Sequence, residues 1–200
     1  MDEAAVITSA QQGDVDAYNQ LVIAYQQLAY NVAYRVLGDE ERAMDATQDA
    51  FLRGYRAIDS FNGGSFKAWI LRITTNACYD MLRAAKRRRT TSIDDLIADD
   101  EHSGMLEDDQ ETPEEYVQRL DLSEVIQRAL ASLPDDQRTV VILSDIQGLN
   151  YAEIAEATLV SLGTVKSRLS RARAKMREFL SAHRELLPDG ARLYSESIES

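Results

Sequence analysis

The chain contains one cysteine, Cys78, so no disulfide can close within it, and a reducing compartment is expected. Proline and glycine are scarce, at three and nine in 200 residues. With Ala, Leu, Gln, Glu and Arg plentiful, that scarcity favours an all-α protein. No run approaches the roughly 20 apolar residues of a membrane span. The N-terminus, MDEAAVITSA, lacks the basic and apolar stretches of a secretory signal. A soluble, cytoplasmic protein is expected. Catalytic signatures are missing as well. His102 and His183 are far apart, and no Cys/His metal spacing, glycine-rich phosphate loop or nucleophile motif appears. The acid pairs Asp94–Asp95, Asp99–Asp100 and Asp108–Asp109 lack the EF-hand pattern. No enzyme activity, no cofactor, no metal and no small-molecule substrate are expected.

Positive charge is in deficit, 22 Lys and Arg against 34 Asp and Glu, for a net charge of −12. The deficit is local. Between Asp94 and Asp121 there are twelve acids and one cation, Arg119, so the rest of the chain is nearly neutral. Charge is segregated, and the segregation is the informative quantity.

Apolar spacing predicts a first helical block from about Gln11 to Arg89. Within it, Asp14–Leu37 reads as one helix, broken by Gly38. Glu40–Ile58 is a second, with Met44, Phe51, Tyr55 and Ile58 on one side. Phe61–Phe66 (FNGGSF) is a loop. Phe66–Lys86 is a third helix, burying Trp69, Ile70, Ile73, Ala77 and Met81 and running into the basic cluster Lys86–Arg89. The acidic stretch, about Thr90–Pro113, has little periodicity and reads as a flexible linker. Helix resumes near Glu114–Ser132, and LPDDQR restarts it with acids at the positive end of the dipole. Thr139–Asp145 (TVVILSD) passes for a strand in isolation, but a buried helical turn is preferred. Asn150 with Glu153 makes a capping box, and Ser161 caps the next helix. Two short helices, a tight turn and a basic second helix form a helix-turn-helix signature. The tail after about Arg184 is expected to fray.

That second helix, SLGTVKSRLSRARAKM, and the Arg177 after it carry six cations and no acid before Glu178. On a helical wheel, Leu162, Val165, Leu169, Ala172, Met176 and Phe179 form a buried seam. Thr164, Ser167, Ser170, Arg171 and Ala174 lie opposite. Lys166, Arg173 and Arg177 line one flank, and Arg168 and Lys175 the other. Small polar groups and one arginine suit base edges, and flanking cations suit phosphates. A solvated surface helix would mix charge signs to gain i,i+4 pairs, and this one does not. A weaker stripe of Arg72, Asn76, Tyr79, Arg83 and Lys86 shares one face of the third helix. An ordinary exposed face and a single-strand contact explain it equally well.

The order of these parts resembles the extracytoplasmic-function (ECF) sigma factors of bacterial RNA polymerase, over about Gln11–His183. GDVDAYNQLVIAY, DATQDAFLRGYRAI, FNGGSFKAWILRITTNACYDMLR and the stretch from LPDDQR to AKMR carry the resemblance. It implies two small helical domains: residues 1–89 as region 2 and 114–183 as region 4, the latter a helix-turn-helix. An acidic flexible linker, 90–113, joins them, and 184–200 is a tail. It implies that Asp45, Gln48, Asp49, Phe51 and Arg53 dock on core RNA polymerase, with Asp49 where the family more often has Glu. Gly63, Gly64, Arg72, Asn76, Tyr79, Arg83, Lys86 and Arg87 would engage the −10 element of promoter DNA and melt it. Thr164, Lys166, Ser167, Arg168, Ser170, Arg171 and Arg173 would read the −35 element. It also implies control by an anti-sigma factor, often membrane-anchored. The alternative is an autonomous helix-turn-helix regulator, against which the first helical block argues.

Overall fold

The computed structural model describes residues 2–91 and 113–183. The expected linker, apart from its ends, and the tail from 184 lie outside the described residues. The elements are α1 (Glu3–Gln11), α2 (Val15–Leu37), α3 (Glu40–Ala57), a 3-10 turn (Ile58–Ser60), α4 (Phe66–Thr91), α5 (Pro113–Ala131), α6 (Asp135–Val141), a π-helical turn (Ile142–Ile146), α7 (Tyr151–Thr158) and α8 (Leu162–Ala182). The protein is all-α, and no strand occurs among the described residues.

Local chemistry sets the helix ends. Asp14 caps α2 by accepting from the Asp16 and Ala17 amides, and Asp39 caps α3 by accepting from Arg42 N at 2.7 Å. Gly38, at φ 69°, closes α2 in the left-handed conformation that favours glycine. Helix α1 lies ahead of the helical block that the sequence predicts, because nine residues with little amphipathy leave a faint periodic signal.

Helices α1–α4 form the N-terminal half. The inner face of α3 is built of small residues: Ala43, Ala46, Ala50 and Gly54 are buried together with Phe51. At Gly54 an added Cβ would sit 2.7 Å from the Tyr18 hydroxyl, so glycine is what lets α3 approach. That hydroxyl donates to Phe51 O at 2.6 Å. The expected apolar side of α3 is therefore partly wrong. Met44 and Tyr55 are 53% and 41% exposed, because close packing on alanine and glycine leaves no room for them inside. Ile73 and Met81 of α4 are half-buried rather than core.

Residues 139–145 are helical, not extended. Val140, Val141, Ile142 and Leu143 are all buried, so they show no amphipathic period. The helix loosens into a π turn, with Gln147 N donating to Ile142 O. The capping box at Asn150 and Glu153 and the Ser161 cap are formed as expected. On α8, Val165, Leu169 and Ala172 are buried and Met176 half-buried, as the seam requires. Leu162 departs from the seam at 49% exposed, and Phe179 stacks on His183 instead of joining the core.

The two halves share one apolar core. Val32, Val36 and Leu37 of α2 and Leu71 of α4 cluster with Leu130, Leu133, Val140–Leu143, Ile154 and Val165 of the C-terminal half. Helix α4 packs on α7, and α2 on α5, α6 and the π turn. Polar bonds stitch the seam. Arg35 donates to Ser123 O, Ser123 Oγ and Gln127 Oε1. Arg138 Nη1 donates to Val36 O at 2.7 Å, and Lys67 Nζ to Gln147 O at 2.8 Å.

Candidate nucleic-acid interface

Helix α8 presents its basic side outward. Lys166, Ser167, Ser170, Arg171, Ala174, Lys175 and Arg177 are exposed, and Thr164 is half-buried beside the cap. Ser161 Oγ lies 2.9 Å from Thr164 Oγ1 and accepts from Thr164 N. Arg171 is folded along its own helix, with Nε donating to Ser167 O at 3.2 Å. The flanks differ from the sequence expectation. Arg173 forks onto Asp145, with Nε to Oδ2 at 3.0 Å and Nη2 to Oδ1 at 2.6 Å, and reaches Ser144 Oγ. Arg168 pairs with Asp136 at 2.9 Å. The carboxylates come from α6 and the π turn, which the wheel of α8 alone does not contain. The Arg173 partner holds the Asp145 carboxyl below the usual carboxylate range.

The loop between α3 and α4 is held at both ends by aromatics. Phe61 and Phe66 are buried; Phe61 packs edge-on against Phe66 and Trp69 at ring separations of 5.6 Å, and Phe66 lies tilted on Trp69 at 5.3 Å. Between them Gly63 and Gly64 take φ near 90°, and a Cβ there would meet nothing within 4 Å, so the tip is open. Gln11 of α1 donates to Ile58 O and Phe61 O, fixing the approach to the loop. This positioning residue was not singled out in the sequence, and no local motif marks it.

Along α4, Asn76, Arg83, Lys86 and Arg87 are exposed and Arg72 is half-buried. Tyr79 is not presented with them. Its hydroxyl donates to Thr139 Oγ1 at 2.8 Å, and burial against α6 raises its pKa. Cys78 is fully buried, and its thiol is pushed up to about 12, as a packed inert residue would be.

The outward face of α3 combines Met44, Asp45, Gln48, Leu52 and Tyr55, all exposed. Leu52, 58% exposed, was not singled out in the sequence, although its position opposite the alanine stripe marks it. Phe51 is buried and supports this face from beneath. Arg53 bridges Asp49 at 2.7 Å and Asp80 of α4 at 2.8 Å, locking the face to the next helix.

Residues 21–88 match the family Sigma-70 region 2, and residues 123–176 match Sigma-70, region 4. The chain is 37% identical over 178 residues to the ECF RNA polymerase sigma factor SigW of Bacillus subtilis, covering 87% of this chain and 94% of that protein. The chain belongs to the ECF sigma factors. This sigma factor is also 36% identical over 172 residues to the ECF sigma factor SigE of Mycolicibacterium smegmatis, covering 86% of this chain and 65% of that one. Its fold is similar to that of the sigma factor RpoE solved with the anti-sigma factor NepR from Bartonella quintana. The TM-score is 0.68 at 28% identity, over 84% of this chain and 99% of the other. ECF sigma factors bind core RNA polymerase and direct promoter-specific initiation of transcription. No described helix of this one is long and apolar enough to cross a membrane.

Proposed function

We propose that this sigma factor divides its work between the two halves as follows. Residues 1–89 act as region 2, 114–183 as region 4, and 90–113 as the connection. Asp45, Gln48, Asp49 and Arg53, with Met44 and Leu52 beside them and Phe51 beneath, dock on core polymerase. The observation that carries the DNA reading is the outward face of α8, small and cationic with no acid before Glu178. Thr164, Ser167, Ser170 and Arg171 meet base edges of the −35 duplex, and Lys166 meets phosphate. Arg168 and Arg173 exchange Asp136 and Asp145 for phosphates, an exchange that partly exposed surface ion pairs of about 0–1 kcal/mol do not resist.

At the −10 element the open tip at Gly63 and Gly64 admits an unstacked base, and Arg72, Asn76, Arg83, Lys86 and Arg87 hold the strand. Tyr79 joins them only after the halves part, since it is engaged with Thr139 while they are closed. The relation to a sigma factor captured with NepR supports control by an anti-sigma factor. The work is cytoplasmic and gives the chain no catalytic role.

The test is transcription with sigma-free bacterial core polymerase on genomic DNA. Discrete, protein-dependent starts sharing two spaced upstream elements are expected. No starts and no co-elution with core would remove the proposed docking and promoter contacts.

A further inference from the structure

Leu162 is the first residue of α8, and it is 49% exposed, whereas Val165, Leu169 and Ala172 on the same helix are at most 2% exposed. An exposed leucine is ordinary on most surfaces. This one stands where a groove-reading helix enters the groove, and the N-terminal residues of such a helix meet base edges. Its neighbours leave it room. Ser161, Gly163 and Thr164 are small, and a Cβ built on Gly163 would have only Ser161 Oγ near it, at 3.8 Å. The first turn carries no acid, and Lys166 and Arg171 follow on exposed positions, so the approach is electrostatically open to a polyanion.

The major-groove edge of DNA offers one apolar group, the 5-methyl of thymine. Guanine, cytosine and adenine carry no methyl there, and a leucine over any of them covers hydrogen-bonding atoms and leaves them unpaired. We propose that Leu162 is a specificity-determining residue that packs on the 5-methyl group of a thymine in the upstream promoter element. The proposal rests on the reading of α8 as the duplex reader. It adds an apolar contact to the polar set of Thr164, Ser167, Ser170 and Arg171. Leu159, 70% exposed in the turn before α8, lies outside the helix and serves as the comparison.

The contact is tested by removing the methyl alone. Holoenzyme reconstituted from the full chain and core polymerase is titrated with a promoter duplex obtained from start-site mapping. Each thymine of the upstream element is replaced in turn by deoxyuridine, which keeps the O4 acceptor and lacks the methyl. Wild type is expected to bind about fourfold more weakly at one position, the worth of one methyl group taken out of water. Leu162→Ala should bind the thymine duplex weaker by a similar factor and be indifferent to uracil at that position. Leu162→Met, which keeps an apolar arm, should retain the sensitivity, and so should Leu159→Ala. Indifference of wild type to every uracil, or sensitivity that survives Leu162→Ala, overturns the contact, and so does an upstream element without thymine. If Arg171→Ala binds the same duplex like wild type, the underlying reading of α8 fails, which is a separate result.

Discussion

The Tyr79 hydroxyl donates to the Thr139 hydroxyl, which in turn donates to Asp135 O at 2.9 Å, so a side chain of α4 is tied to the first turn of α6 in the other half. Tyr79→Phe removes the donor and leaves the ring. Because the Thr139 hydroxyl keeps its own acceptor, no buried donor is stranded. A loss of about 1 kcal/mol in urea denaturation is expected. Core-polymerase affinity should not fall, since the proposed parting of the halves already breaks this bond. Weaker binding to core would contradict that assignment.

Leu159 is the non-glycine residue with positive φ among the described residues, at 54°. A leucine there carries about 1–2 kcal/mol of backbone strain, and at 70% exposure it gains little burial in return. Leu159→Gly relieves the strain but adds freedom to the unfolded chain. The net expectation is a gain in stability of up to about 1 kcal/mol, read from the denaturation midpoint. A clear loss would mean that the turn between α7 and α8 has another conformation in solution.

Asp145 is held below the usual carboxylate range by Arg173. A depressed folded pKa stabilises the fold above the unfolded value, near 3.9, and the contribution is lost as the pH falls through the folded value. Asp145→Asn should therefore be less stable than wild type at pH 7, by under about 1 kcal/mol because the pair is over a third exposed. The gap should close on acidification below about pH 4. Urea titrations at a series of pH values check this, and a gap independent of pH would contradict it.

The two interfaces should separate by mutation. Arg171→Ala is expected to reduce promoter-specific transcription while leaving core binding intact. Gln48→Ala combined with Asp49→Arg should weaken co-elution with core and spare the DNA-reading helix. Leu52→Ala should act like the second pair, since Leu52 is exposed on the same face. Loss of core binding in Arg171→Ala would contradict the division of roles.

Helix boundaries were largely legible because they are written in local chemistry. Asp14, Gly38, Asn150 with Glu153, and Ser161 each act within four residues of themselves. What one helix wheel cannot contain is the partner from another element. In the sequence Arg168 and Arg173 read as unpaired flanking cations, whereas the fold brings Asp136 and Asp145 beside them. The alanine and glycine face of α3 was misread for a related reason. Hydrophobic size points to Met44 and Tyr55, whereas the closeness of packing at Gly54 selects the small residues. Tyr79 shared a face with Arg72 and Arg83 in sequence, and only the docking of the two halves shows that face to be divided.

The shared core also orders events during synthesis. Arg138 reaches the carbonyl of Val36 across 102 positions, and Val36 and Leu37 are covered by residues up to Leu143. At about 5–20 residues per second, the ribosome delivers that cover some 5–20 s after α2 is complete. Until then the end of α2 carries apolar surface into solvent. Lengthening the connecting segment changes this little in equilibrium, since doubling a loop costs only about 0.6 kcal/mol. A partner that recognises the N-terminal half alone therefore meets a nascent chain in which the seam is still open.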